Sequence, residues 1–260
     1  MINIGDYVKR KSYNADILFE VINIENKEAT LKGVDIRLLA DAPISDLIYV
    51  EKEKVRNEEE TLNFIDNIDR SEFFYMPGTI LHIDSDENYI QKCTKYYEKN
   101  KVKAITKCIQ EEDMPKEVLK LLKEYKPNIL VLTGHDAYYR KRNRKDLYKN
   151  SKYFINAVKE ARKYEEDLDK LIIIAGACQS NYEELIKNKA SFASSPKRIN
   201  IHALDPAIIA TYLSLYDKNK EINIKELLSK TTFKEDGIGG IEIRGTMYKG
   251  YPKIKVNQWI

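Results

Sequence analysis

The most constraining feature of this sequence is the regular alternation of short apolar runs with helix-length stretches from Thr79 onward. Four runs of strand length, TILHID, VKAITKC, NILVLTG and KLIIIAGA, are separated by amphipathic segments. One of these segments, SKYFINAVKEARKY, repeats apolar residues at helical spacing, which predicts a buried helical face. Strands that alternate with helices predict βαβ units, and hence an α/β fold with a doubly wound, mostly parallel sheet. The segments ASFAS, INIHAL and GIEIR are candidates for further strands.

The first 50 residues have a different pattern. Short β-rich runs dominate, Ile17, Phe19 and Val21 alternate with polar residues, and IENKE is typical of a turn between two strands. This pattern predicts a small SH3-like β-barrel over residues 1–50, which would stabilise the protein or bind a partner. Residues 51–75 are dense in charge and are interpreted as a linker, which leaves residues 76–260 for the α/β domain.

Composition excludes several classes of protein. The net charge of +3, with 33% charged residues, indicates a surface of mixed sign and not a dedicated nucleic-acid binder. The longest apolar stretch, residues 171–178, is far shorter than the roughly 20 residues of a membrane span, and no secretory signal is evident. The three cysteines share no C-x-x-C spacing, so neither a disulfide framework nor a zinc site is expected. We therefore expect a reduced intracellular protein without a metal or organic cofactor.

Two of the predicted strands end in reactive side chains. The third ends in TGHD, with His135, and the fourth ends in GACQS, with Cys178. In open α/β sheets, sites lie beyond the carboxyl ends of the strands, so neighbouring strands would bring these side chains together. The small residues Gly176 and Ala177 would let a substrate backbone approach, and the strand end would present the sulfur to solvent.

This pair has the properties of an activated nucleophile and its base. The S-x-x-E pattern from Ser180 to Glu183 predicts a capping box, so Cys178 would precede a helix N-terminus that stabilises a thiolate. His135 would act as the base, and backbone N–H groups around Cys178 and after His135 could form an oxyanion hole. Asp136 would orient the imidazole or shape that hole. Two alternatives remain open: an amidotransferase-like hydrolase with His202 as base, and a non-catalytic, flavodoxin-like scaffold.

The order of these residues resembles a known clan. Ala177-Cys178-Gln179 matches the A-C-Q core of the caspase pattern, and His135 lies 43 residues upstream of the cysteine, where caspases have about 50. The chain therefore resembles the caspase-like cysteine peptidases, although Asp136 stands where that clan has glycine. The resemblance implies a caspase-like sheet and a Cys–His peptidase.

A second resemblance extends over nearly the whole chain. The segments IGDYVKRKSYNADILF, PGTILHIDSDENY, LVLTGHDAYY, IIAGACQSNYE and ASFASSPKRINIHALDP are similar to the YabG family of sporulation-specific peptidases. The resemblance implies that Cys178 and His135 are the catalytic residues and that the protein acts in the cytoplasm of the sporulating cell, with the forming spore coat. It also implies that coat and cortex proteins are the substrates and that cleavage occurs next to basic residues.

Cleavage at basic residues has a consequence for the specificity pocket. A buried Arg or Lys side chain needs a carboxylate partner, and Asp205 is the candidate, at the end of the predicted strand INIHAL. Asp205 as a helix N-cap before Pro206 is the other interpretation, and Asp84 and Asp136 are alternative partners. Self-cleavage is predicted within Arg140–Lys152 or in the linker, because loops rich in basic residues are exposed to nicking.

Overall fold

A computed structural model describes residues 2–51, 71–139 and 147–253. The chain divides into two compact units, Met1–Glu60 and Thr61–Ile260. Most of the predicted linker, and residues 140–146 of the basic run, lie outside the described residues. The self-cleavage predicted in those two stretches therefore stays a prediction.

The first unit contains an antiparallel sheet. Within the described residues its five strands run in the order β4-β3-β2-β1-β5. Asn26 and Lys27 join β2 to β3 with φ values of 49° and 68°, which is the backbone of a type I′ hairpin and confirms the predicted turn. Closure of this sheet into an SH3-like barrel stays a prediction. The strands are β1 Tyr7–Arg10, β2 Phe19–Glu25, β3 Glu28–Gly33, β4 Leu39–Pro43 and β5 Leu47–Val50.

The second unit is built on a six-stranded sheet, counted over the described ranges, with the strand order β12-β11-β10-β9-β7-β8. Every neighbouring pair is parallel except β11 and β12. The predicted α/β fold with a mostly parallel sheet is confirmed. A two-stranded sheet pairs β6 with β13. The strands are β6 Phe74–Met76, β7 Ile80–Asp84, β8 Ala104–Cys108, β9 Ile129–Thr133, β10 Ile172–Ala175, β11 Phe192–Ser194, β12 Ile238–Gly240 and β13 Tyr248–Gly250.

Helices cover both faces of the six-stranded sheet. Apolar residues of α1 and α5 pack against Ile129, Val131 and Ile172, and those of α2 and α3 pack against the alternate residues Leu130 and Leu132. No helix of the described ranges combines the length and apolarity that a membrane crossing requires. The helices are α1 Glu87–Lys99, α2 Met114–Tyr125, α3 Ser151–Tyr164, α4 Tyr182–Lys187, α5 Asp205–Leu215, α6 Ile224–Ser229 and α7 Lys234–Gly237.

Two of the predicted strands differ from the structure. INIHAL forms no strand: Ile201 and Ala203 are buried, but the chain there turns directly into α5. Ile201 lies against the sulfur of Cys178, so the apolar residues of this segment are explained by burial without an extended strand. In place of GIEIR, the strand β12 spans Ile238–Gly240, and Gly240 packs so closely on Phe192 that a Cβ atom there would lie 2.3 Å from the ring.

Candidate active site

The register of β9 and β10 brings the two predicted reactive residues to the same edge of the sheet. The strands are parallel neighbours, and Ala175 pairs with Leu132. Cys178 and His135 each lie three residues beyond that pair. The prediction that the strands bearing these residues are adjacent is confirmed.

Cys178 itself is fully buried, at 0% exposure. Its Sγ accepts the Ile201 N–H at 3.2 Å and donates to the Ile201 carbonyl oxygen at 3.8 Å. The expectation that the strand end presents the sulfur to solvent is therefore wrong, because the segment before α5 packs on the thiol.

The turn after Cys178 is held in an uncommon conformation. Gln179 has φ +59°, in the left-handed region that residues other than glycine seldom adopt. Its backbone N–H donates to the Ile199 carbonyl and to Ser195 Oγ, both at 3.1 Å. Its side-chain Oε1 accepts the Tyr138 N–H at 3.2 Å and thus links the turn to the segment after His135. Sequence reasoning did not identify this role of Gln179.

The predicted capping box is wrong in its details. Helix α4 begins one residue later, with Asn181 as the N-cap, whose side chain accepts the Glu184 N–H. Ser180 Oγ has another role, because it accepts the Ala177 N–H at 2.9 Å and donates to Asp136 Oδ2 at 2.9 Å. The hydroxyl therefore joins the turn before Cys178 to the residue after His135.

The imidazole of His135 lies between two carboxylates. Nε2 is 3.6 Å from Asp86 Oδ2, and Nδ1 is 3.9 Å from Glu111 Oε1. Glu111 Oε1 also accepts the backbone N–H of His135 at 2.7 Å. The His135 side chain is only 15% exposed, and Tyr89 lies against it with ring centroids 5.8 Å apart. Asp86 and Glu111 were missed in the sequence because they follow β7 and β8, whose places in the sheet it does not reveal.

Asp136 does not contact the imidazole through any hydrogen bond of the described residues. Its Oδ1 accepts the N–H groups of Ala137 at 2.8 Å and Asn150 at 2.7 Å. Its Oδ2 accepts the hydroxyls of Ser151 and Ser180. Burial raises the pKa of this carboxyl, and the four hydrogen bonds oppose that rise. Asp136 is thus a buried anchor between the segment after β9, the start of α3 and the turn after β10.

Backbone N–H groups near the two reactive residues differ in availability. Those of His135, Ala177 and Gln179 already donate to other groups. Within the described residues, no acceptor engages the Asp136 N–H. The side chain of the same residue, in contrast, accepts four hydrogen bonds.

The two small residues before Cys178 have structural reasons for their size. Gly176 has φ +109°, and an added Cβ would lie 3.0 Å from a Leu185 methyl and 3.2 Å from Ser194 Cβ. Ala177 is fully buried and belongs to the core on the α2 and α3 face. The described contacts give backbone conformation and packing as the reasons for these residues, and the predicted approach of a substrate backbone stays a prediction.

The three carboxylates predicted for a specificity pocket have different environments. Asp84 accepts Thr133 Oγ1 at 2.5 Å and the Asp86 N–H at 2.8 Å, so both of its oxygens are engaged, as are those of Asp136. Asp205 is fully buried, and its Oδ1 accepts the Thr232 N–H at 2.8 Å. Within the described residues, its Oδ2 has no hydrogen bond, and burial raises the pKa of the carboxyl.

Asp205 is also not the N-cap of α5. The helix begins at Asp205 itself, with Leu204 as N-cap and no side-chain capping bond. The cap interpretation is therefore wrong. His202, the alternative base, precedes this helix, and its Nδ1 accepts the Leu204 N–H at 3.2 Å. It directly follows Ile201, which contacts the sulfur of Cys178.

The described residues were compared with the requirements of a metal site. Over residues 2–51, 71–139 and 147–253, no cluster of three or more His, Cys, Asp and Glu side chains is arranged to hold a metal ion.

Comparison with known proteins shows the family of the chain. Residues 3–252 match the family described as YabG peptidase U57. The sporulation-specific protease YabG of Bacillus subtilis (strain 168) is 40% identical to this chain over 282 aligned positions, which cover 96% of this chain and 97% of the relative. Both matches span nearly the full length, so the chain belongs to the YabG family of peptidases.

Proposed function

We propose that this peptidase is a cysteine endopeptidase of sporulation, with Cys178 as nucleophile and His135 as base. The observation that carries the proposal is the register of β9 and β10. Each of the two residues lies three positions along the chain beyond the paired residues Leu132 and Ala175. The Ile201 N–H at the sulfur and the two carboxylates near the imidazole are contacts of the kind that would stabilise the thiolate and imidazolium on which such a mechanism depends.

The chemistry proceeds in two stages. Cys178 transfers its proton to His135, and the thiolate attacks the carbonyl carbon of the scissile peptide bond. The Asp136 N–H, which has no acceptor among the described residues, stabilises the oxyanion. His135 then protonates the leaving amine, and a water molecule hydrolyses the acyl-enzyme with His135 again as base.

Substitution of the two residues tests the mechanism. Cys178→Ala and His135→Ala should each reduce proteolysis of a basic protein by several orders of magnitude, because each removes an essential part of one reacting unit. Circular dichroism should show an unchanged fold. If His135→Ala keeps near-wild-type turnover while His202→Ala is inactive, the base is His202.

That second outcome is a real alternative because His202 adjoins the Ile201 backbone at the sulfur. It would correspond to an amidotransferase-like cysteine hydrolase, in which the histidine follows the cysteine along the chain. The non-catalytic scaffold receives no support, since the family to which the chain belongs is one of peptidases.

Specificity for Arg or Lys is proposed to depend on Asp205. Of the three candidate carboxylates, Asp205 has an oxygen without a hydrogen bond among the described residues, and a guanidinium or ammonium would satisfy it. Asp205→Asn removes the charge with little change in shape. We expect kcat/KM for Arg and Lys substrates to fall by about 10-fold or more, with stability little changed. An unchanged preference for Arg would assign Asp205 to the support of Thr232 alone.

The biological setting follows from the relative. The Bacillus subtilis protein is named as sporulation-specific, which supports the same period of action for this chain. We further propose spore coat and cortex proteins as substrates, in the cytoplasm of the sporulating cell and with the forming coat. Comparison of coat protein processing in spores that carry wild-type or Cys178→Ala protein tests this directly, and identical processing in the two would contradict it.

The architecture supports a finer proposal as well. The antiparallel sheet of the first unit is proposed to be an SH3-like barrel, with residues 51–75 as a linker and 76–260 as the peptidase domain. The six-stranded sheet, with helices on both faces, is proposed to be caspase-like. An experimental structure of the full chain tests both proposals, and an open first sheet would contradict the barrel.

A further inference from the structure

A carboxylate lies close to one ring nitrogen of His135. Asp86 Oδ2 lies 3.6 Å from Nε2, and both side chains are largely buried, at 15% exposure for His135 and 10% for Asp86. A carboxylate this close to a ring nitrogen favours the protonated form of the ring. The geometry points to Asp86 as a positioning residue that holds the His135 ring and raises its basicity. This inference rests on the proposed role of His135.

The position of Asp86 is fixed independently of the histidine. Asp86 is the N-cap of α1, and its Oδ1 accepts the N–H groups of Asn88 at 2.9 Å and Tyr89 at 3.3 Å. Its own N–H donates to Asp84 Oδ1 at 2.8 Å. The capping bonds use one oxygen and hold the other at the imidazole, so the carboxylate does not need to be ordered when the ring becomes charged.

Glu111 contributes differently. Its Oε1 accepts the Ser85 hydroxyl at 2.6 Å and the His135 backbone N–H at 2.7 Å, while the ring Nδ1 is 3.9 Å away. Glu111 therefore fixes the backbone of His135 more closely than its ring. The contacts above place three titratable side chains against the imidazole, those of Asp86, Glu111 and Tyr89, and of the two carboxylates Asp86 is nearer to a ring nitrogen.

Asp86→Asn separates charge from structure. Asparagine is as good an N-cap as aspartate, so the start of α1 is kept while the negative charge at the ring is lost. We expect the pKa of His135 to fall by about one unit, which is the low end of the effect of a neighbouring opposite charge. The limb of the kcat/KM profile that reports His135 should move to lower pH by the same amount.

The direct measurement is the titration of the histidine ring by NMR in the full chain. The chain has three histidines, so His135→Gln assigns the signal. Asp113→Asn is the control, because Asp113 also precedes a helix but is exposed and paired with Lys116. A downward shift in Asp86→Asn and none in Asp113→Asn would support the inference, and an unmoved His135 titration in Asp86→Asn would overturn it.

Two further arms keep the test decisive. If Asp86→Asn does not fold, Asp86→Ser retains a capping oxygen without charge and gives the same comparison. The titration does not depend on turnover, so it is separate from the test of the proposed function. If Cys178→Ala or His135→Ala remains active, the proposed mechanism fails whatever the titration shows. If both are inactive and the titration does not move, only the role of Asp86 fails.

Discussion

Replacement of Asp136 should reveal how strongly its hydrogen-bond network supports the edge of the sheet. Asp136 is 7% exposed and accepts four hydrogen bonds. The donors are the N–H groups of Ala137 and Asn150 and the hydroxyls of Ser151 and Ser180. Asp136→Ala deletes the acceptor for all four groups at once, and the two hydroxyl donors belong to buried residues.

The cost can be worked from these partners. A buried polar group left without a partner costs about 1–3 kcal/mol, and the two hydroxyls can turn toward other acceptors while the amides cannot. We therefore expect Asp136→Ala to lower the free energy of unfolding by roughly 3–5 kcal/mol, the range for a broken buried network. Asp136→Asn keeps one acceptor oxygen and should cost less, about 1–2 kcal/mol.

Replacement of Asp136 should also slow catalysis, separately from its effect on stability. Asp136 and Ser180 join the segment after β9 to the turn before Cys178, so both strand ends lose a common support. A displacement of about 1 Å in a reacting group can cost about 10²-fold in rate, and we expect kcat of the Asn variant to fall by about that factor.

Urea unfolding and steady-state kinetics on the same preparations measure both effects. Asp113→Ala is the control, because that carboxylate is 47% exposed and pairs with Lys116 on the surface, where such pairs contribute about 0–1 kcal/mol. If the free energy of unfolding of Asp136→Ala lies within about 1 kcal/mol of the wild-type value, Asp136 does not anchor these segments. An Asp136→Asn variant with wild-type kcat would show that Asp136 does not position the reacting groups.

Three other outcomes are expected. Iodoacetamide should label the exposed Cys108 well before the buried Cys178, as read by peptide mass spectrometry, and equal rates would show that the Cys178 site opens readily. Burial raises the pKa of Asp205 above its ordinary value of 3.8. The protonated carboxyl should therefore contribute most to the free energy of unfolding below pH 3.8, and this contribution should be lost as the pH rises through the raised pKa. The unfolding temperature of Asp205→Asn, measured across that pH range, should depend less steeply on pH than that of the wild-type protein. Gly176→Ala should destabilise the fold by about 1–3 kcal/mol in chemical unfolding, since φ is +109° and the added methyl meets Leu185, and a neutral result would contradict the strain.

Much of the second unit could be predicted from local pattern. Helix α3 spans Ser151–Tyr164, the same residues as the predicted segment, because its apolar residues follow the helical period. The adjacency of β9 and β10 was also predicted, since consecutive strands of a βαβ unit are usually neighbours. Both inferences depend on residues that are close along the chain, where periodicity and chain order carry the information.

The parts that failed depend on contacts between distant segments. Strand β7 lies between β9 and β8, so the residues after it reach His135 from a position that chain order does not reveal. Asp86 could have been suspected as an acid that follows a strand and begins a helix, but its partner could not be identified. The burial of Cys178 depends on Ile201, 23 residues later, in a segment whose alternating pattern imitated a strand.

Three aspartates near this edge of the sheet illustrate why residue type alone does not assign a role. Asp86 has one oxygen at a helix cap and the other near an imidazole, so its proposed role depends on its charge. Asp136 has both oxygens on donors from three segments, so its acceptors matter more than its charge. Asp205 has an oxygen that accepts no hydrogen bond among the described residues, and its proposed role depends on a basic substrate side chain at that oxygen. Replacement by asparagine should therefore change a different quantity in each case: the titration of His135, the stability and rate, and the preference among substrates.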